Sequence, residues 1–146
     1  MMRHVFALAA ALLTAAPAQA APPPTIDFTH VLLDDDGAPV KDEVTRAPDD
    51  DPVKDPWCKS CKAMTVGDAC YRALTTILWS RERPNPDELE AWHALGVRIR
   101  RDPHGVLKPP EIVAIEKRLG VVGFSGLVSS SVKRAIDPTY ETPAVK

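Results

Sequence analysis

Apolar residues are spaced in three different rhythms along this chain, and each rhythm predicts a different kind of element. The first is unbroken. Residues 5–13 read VFALAAALL, a segment apolar on every side, with no polar face to present to water. Arg3 precedes it, Pro17 breaks it, and Ala18-Gln19-Ala20 places small residues where a signal peptidase cuts. This pattern predicts a secretory signal peptide over residues 1–20, removed on export, with residues 21–25 as a flexible leader. The run is far shorter than the ~20 residues of a membrane span. No second run of that length follows, so no membrane anchor is expected after removal.

The second rhythm is short and dense. Phe28, Val31, Leu32 and Leu33 lead into Asp34-Asp35-Asp36-Gly37, and Ala38-Pro39-Val40 leads out. The spacing predicts a β-hairpin over residues 26–40, with Gly37 at positive φ and Pro39 on an edge. The aspartates also suggest calcium. A calcium loop with Gly37 in its sixth place would begin at Leu32, which cannot ligate a hard cation, so the turn reading prevails.

The third rhythm is helical and fills the rest of the chain. Thr65 and Asp68 form a capping pair before Val66, Ala69, Cys70, Ala73, Leu74, Ile77 and Leu78, which predicts a helix over residues 66–80. Asn85, Pro86 and Glu88 open a second helix. Its inner stripe is Leu89, Trp92, Leu95, Gly96 and Ile99, and Pro103 ends it. A third runs over 109–119, with Ile112, Ile115 and Leu119 inward and Gly120 as its stop. A fourth runs over 126–136 behind Ser125. The expected architecture is one α+β domain over residues 26–138, mainly α: an N-terminal hairpin packed on about four short helices, with a disordered tail at 139–146.

Charge divides the chain further. Residues 21–56 carry ten acidic and three basic side chains, whereas residues 57–146 carry ten and fourteen. The stretch 41–56 (KDEVTRAPDDDPVKDP) is acidic, rich in proline and poor in apolar residues. Its composition predicts a mobile linker inside the domain. Neither half is basic enough to mark a nucleic-acid binder. The last two helices resemble a helix-turn-helix only loosely, with Lys133 and Arg134 facing phosphate, because their connection is long and base-reading side chains are few.

Three cysteines carry the chemical suggestion. An exported chain can form disulfides, and an odd count leaves one thiol over. Cys58 and Cys61 stand as C-x-x-C, and Cys70 lies on the apolar face of the first helix. A structural clip, Cys58 with Cys61 or either with Cys70, is the leading reading. A zinc site built from the three cysteines with His30, His93 or His104 is a weaker one. His93 reads as partly buried packing and His104 as a solvated turn residue. The chain has no G-x-S-x-G and no glycine-rich phosphate loop. No cofactor is expected, and a non-enzymatic role is favoured over catalysis.

Two resemblances bear on function. The stretch Trp57-Cys58-Lys59-Ser60-Cys61-Lys62 resembles the active site of thioredoxin-like oxidoreductases, which also carry Trp before the first Cys; the likeness covers six residues. It implies a periplasmic thiol-disulfide protein using Cys58 and Cys61. That fold needs a buried strand before the motif and a helix directly after it, and here APDDDPVKD precedes and Met64-Thr65 intervene. Three longer stretches, DFTHVLLDDDG (27–37), TVGDAC (65–70) and PEIVAIEKRLG (110–120), resemble a group of small phage and prophage proteins. That likeness implies a structural or assembly role and offers no catalytic residues. The expectation is therefore a periplasmic or secreted, non-enzymatic protein that binds another protein, with the thiol-disulfide role as its rival.

Overall fold

The computed structural model describes residues 22–55 and 58–141. The expected signal peptide over 1–20 and the end of the tail lie outside them. Among the described residues, four α-helices and one short antiparallel sheet make an α+β domain that is mainly α.

The centre is α1 (Val66–Thr75). Thr65 Oγ1 accepts from the Asp68 N–H at 3.1 Å, and the Asp68 carboxylate returns to the Thr65 N–H at 3.3 Å. The exchange satisfies two amides that a helix start leaves unpaired. Val66, Ala69, Cys70, Ala73 and Leu74 are all buried. The helix ends at Thr75, five residues before the apolar spacing would carry it. Thr75, Thr76 and Ile77 form a β-branched run, which disfavours helix. Beyond Thr76 the polar groups are taken elsewhere: the Leu78 N–H donates to Glu82 at 2.9 Å, and the Arg81 N–H donates to the Leu78 carbonyl at 2.7 Å.

The second helix, α2 (Pro86–Arg101), starts as expected, with Asn85 and Glu88 exchanging hydrogen bonds. Leu95, Gly96 and Ile99 are buried, while Leu89 and Trp92 are half-buried. Gly96 is required by the crossing. A Cβ there would lie 3.2 Å from the Tyr71 ring and 3.5 Å from the Thr75 methyl. His93 is exposed, not partly buried packing, because it points off the stripe.

The third helix, α3 (Pro109–Val122), passes through Gly120 and stops at Gly123, which takes the left-handed conformation at φ 80°. Gly120 lacks that backbone shape, so the stop lies three residues later than composition suggests. The fourth, α4 (Gly126–Ile136), is capped by Ser125. Ile115 and Leu119 of α3 and Val128, Val132 and Ile136 of α4 complete the core around α1.

The hairpin turn is present. Gly37 sits at φ 79°, and Asp34 Oδ1 accepts from the amides of Asp36 and Ala38 at 3.1 and 2.7 Å. The regular strand, however, is β1 (Ile26–Asp27), and its partner is β2 (His104–Gly105) from the far side of α2. The hairpin arms instead join the segment before α1 in a ring of backbone hydrogen bonds. Leu32 donates to Met64 at 2.9 Å, Met64 to Val40 at 2.8 Å, and Val40 to Leu32 at 2.8 Å.

The acidic stretch also departs from expectation. Residues 42–55 follow a hydrogen-bonded course onto the body. A 3-10 turn (Glu43–Thr45) is capped by Asp42, whose carboxylate is buried and ion-paired with Arg72 of α1. Composition marked a linker because the segment buries charged groups in pairs rather than apolar area.

Candidate disulfide site

Cys58 and Cys61 are joined by a disulfide, with their Cα atoms 5.3 Å apart, and both are buried. Cys70 is the free cysteine of the described residues. It lies in the core, where burial pushes its thiol up to about 12. Of the pairings open to the sequence, the structure holds the one local to the C-x-x-C.

The loop is assembled by short-range hydrogen bonds. The Cys58 N–H donates to the Asp55 carbonyl at 3.2 Å, and the Cys61 N–H donates to the Cys58 carbonyl at 3.2 Å. The Lys59 N–H donates to the Asp55 carboxylate at 2.8 Å. Cys58 has φ 46°, a left-handed conformation uncommon for a side chain with a Cβ. Next comes extended chain that pairs with the hairpin, and α1 opens only at Val66. The C-x-x-C therefore does not sit at a helix N-terminus.

Arg46 ties the loop to the 3-10 turn. Its Nε and Nη2 donate to Glu43 at 3.0 and 2.6 Å, Nη1 donates to the Asp55 carbonyl at 2.9 Å, and Nη1 lies 3.5 Å from Asp50 Oδ1. The other Asp50 oxygen faces the sulfur side, 3.9 Å from Cys58 Sγ, and accepts from the Ser60 hydroxyl. Sequence reasoning missed Arg46, Asp42 and Asp50 as organisers because each sits in a run of charge with no period.

Cys58 is buried, disulfide-bonded and, among the described residues, has neither a cation nor a helix N-terminus against its sulfur, the features that activate an attacking cysteine. The surroundings of Cys58 therefore suit a closed disulfide better than an attacking nucleophile. A group able to hold a metal gathers at the same place: Glu43, Cys58 and Cys61 each offer a ligand atom within 4.8 Å of the others. Cys70 is not in that group. Nor are the three histidines weighed as zinc ligands: His93 is exposed on α2, His104 is exposed on β2 with Nδ1 3.6 Å from Asp27, and His30 is exposed in the loop after β1.

A second feature is an open groove of about 540 Å³ between the hairpin and α4, lined by Asp27, His30, Leu33, Asp34, Ser131 and Arg134 among others. Leu33 stands 45% exposed at its edge. Asp27 is held below its ordinary value by the hydrogen bonds from Thr29, with His104 adding a smaller effect. Among the described residues no helix is long and apolar enough to cross a membrane. Compared with protein-family models, curated proteins and solved structures, the chain matches none.

Proposed function

We propose that this chain is an exported, non-enzymatic protein that binds another protein, its surface lobe held in shape by the Cys58–Cys61 disulfide. The observation that carries the reading is the setting of that disulfide: buried, joined to Arg46 and Asp50, and away from any helix start. Such a setting serves as a clip, and a clip of this kind lasts in an oxidising compartment. The leader over residues 1–20 supports export. The three stretches that resemble phage and prophage proteins support a structural or assembly role. The groove beside Leu33 is the contact surface offered to the partner, since it combines an exposed leucine with acidic, basic and hydroxyl side chains.

The test has two parts. Protein recovered from the periplasm should lack the leader and contain one thiol, Cys70, detectable only after unfolding. A photo-crosslinking residue at position 33 should give a discrete heavier adduct, whereas the same residue at the exposed Glu90 of α2 should not. The rival thiol-disulfide reading rests on Trp57-Cys58-Lys59-Ser60-Cys61-Lys62. Reduction of insulin by the purified protein, lost in Cys58→Ser, would establish the rival and displace the clip.

A further inference from the structure

We infer that the lobe is also a zinc site: once the disulfide is reduced, Cys58, Cys61, Glu43 and Asp50 bind one zinc ion, making metal and disulfide alternative staples for one loop. The donor set is the first reason. Two thiolates three positions apart and two carboxylates match the four-coordinate, borderline-soft preference of zinc, and the sulfurs exclude calcium or magnesium.

Spacing is the second reason. Zinc–ligand bonds of about 2.0–2.3 Å give a tetrahedron with edges of roughly 3.3–3.8 Å. Glu43, Cys58 and Cys61 already offer ligand atoms within 4.8 Å of one another, and Asp50, outside that group but with Oδ2 3.9 Å from Cys58 Sγ, has to swing inward to complete the four. Opening the S–S bond lets the sulfurs separate toward that edge length, and the ion would occupy the space between them and the carboxylates.

The third reason is the shell around the donors. Arg46 binds Glu43 and approaches Asp50 through Oδ1, leaving Oδ2 on the sulfur side. Ligating carboxylates are commonly oriented by such outer partners. Four anionic ligands around a divalent ion leave two negative charges over, and the Arg46 guanidinium offsets one of them. Zinc supplies the positive charge that two sulfurs and two carboxylates gathered together require.

The chemistry balances simply. A dithiol or phosphine reductant supplies two electrons, and the S–S bond becomes two thiols with two protons taken up. Zinc then displaces those two protons to solvent as the Zn–S bonds form. A reoxidant of the disulfide class takes the electrons back and expels the ion. The inference stands apart from the protein-binding role and needs only the geometry of the lobe.

The purified protein, carrying no histidine tag, is reduced with a phosphine under inert gas and titrated with zinc against a chromophoric chelator. One zinc per chain is expected in the reduced form and less than about a tenth of that in the oxidised form. Cobalt should give a thiolate charge-transfer band and tetrahedral d–d absorption. Glu43→Gln and Asp50→Asn, checked for unchanged circular dichroism, should each weaken binding about tenfold or more, and Cys70→Ala should leave it unchanged. Equal uptake by oxidised and reduced protein, full affinity in the Glu43→Gln/Asp50→Asn double variant, or cobalt bound without the sulfur band would each overturn the site. Should Glu43→Gln or Asp50→Asn disturb the lobe, the cobalt spectrum of the unaltered protein decides alone.

Discussion

Arg118 is the largest fully buried side chain among the described residues. It lies on α3 beside Leu119 and is 1% exposed. Its Nε donates to the Ala73 carbonyl at 2.9 Å, its other nitrogens reach Thr76 and Glu82, and its guanidinium stacks 4.5 Å from the Trp92 ring. It satisfies carbonyls at the end of α1 that a helix terminus leaves open. Removing one partner of a buried ion pair costs about 3–5 kcal/mol. Arg118→Ala should lower stability by that order in chemical denaturation. Arg118→Lys should recover little, because an ammonium's donors radiate from one nitrogen and lack the spread planar fork that spans the carbonyls, the carboxylate and the Trp92 ring. Cys70 makes the opposite prediction. With its thiol raised to about 12 and fully buried, it should resist iodoacetamide in the native protein at neutral pH and react promptly in denaturant.

At the scale of elements, the junctions between helices carry the testable detail. Gly67 in the first turn of α1 faces the chain at Phe28, where an added Cβ would come 3.0 Å from a backbone oxygen. Overpacking against backbone costs about 1–3 kcal/mol, so Gly67→Ala should destabilise despite its better helix propensity. The start of α3 is pH-sensitive. Burial raises the Glu111 carboxyl, but the hydrogen bonds from Arg98 and the Lys108 N–H outweigh it and hold the group below its ordinary 4.5. A lowered native value contributes stability above the unfolded value, lost as pH falls through the native one. Glu111→Gln should flatten the loss of stability below about pH 4.5, read from denaturation midpoints across the acid range. Helix starts were legible in the sequence because Thr65/Asp68, Asn85/Glu88 and Ser125 act within one turn. Ends were less so. The stop of α1 draws on Arg118, 45 positions beyond Ala73, as well as on the local Thr75-Thr76-Ile77 run, and the stop of α3 depends on Gly123 and not Gly120 adopting positive φ.

Across the whole molecule, the helical body and the hairpin turn followed from local periodicity, while the sheet and the lobe did not. β1–β2 pairs residues on opposite sides of α1 and α2, and two-residue strands leave no alternation to read. The lobe is organised by Asp42–Arg72 and by Arg46, and a buried ion pair has the same composition as a solvated one. The candidate site was half legible: C-x-x-C marked the sulfurs, but nothing marked Glu43 and Asp50 as their neighbours. The lobe depends on its clip. Closing so short a loop contributes at most about 2 kcal/mol by chain entropy. Reduction should therefore leave the helical circular dichroism intact while exposing residues 43–61 to limited proteolysis.

The pairing of Ile26 with Gly105 has one more consequence, concerning time. Synthesis delivers this early strand first, yet its sheet partner among the described residues emerges after two helices have been completed. That edge must wait unmated, and contacts between such distant positions slow folding. In pulse-labelled hydrogen exchange, the amides of Ile26 and Gly105 should gain protection together, after those of the first helix, so that the last event of folding closes the chain's beginning onto its middle.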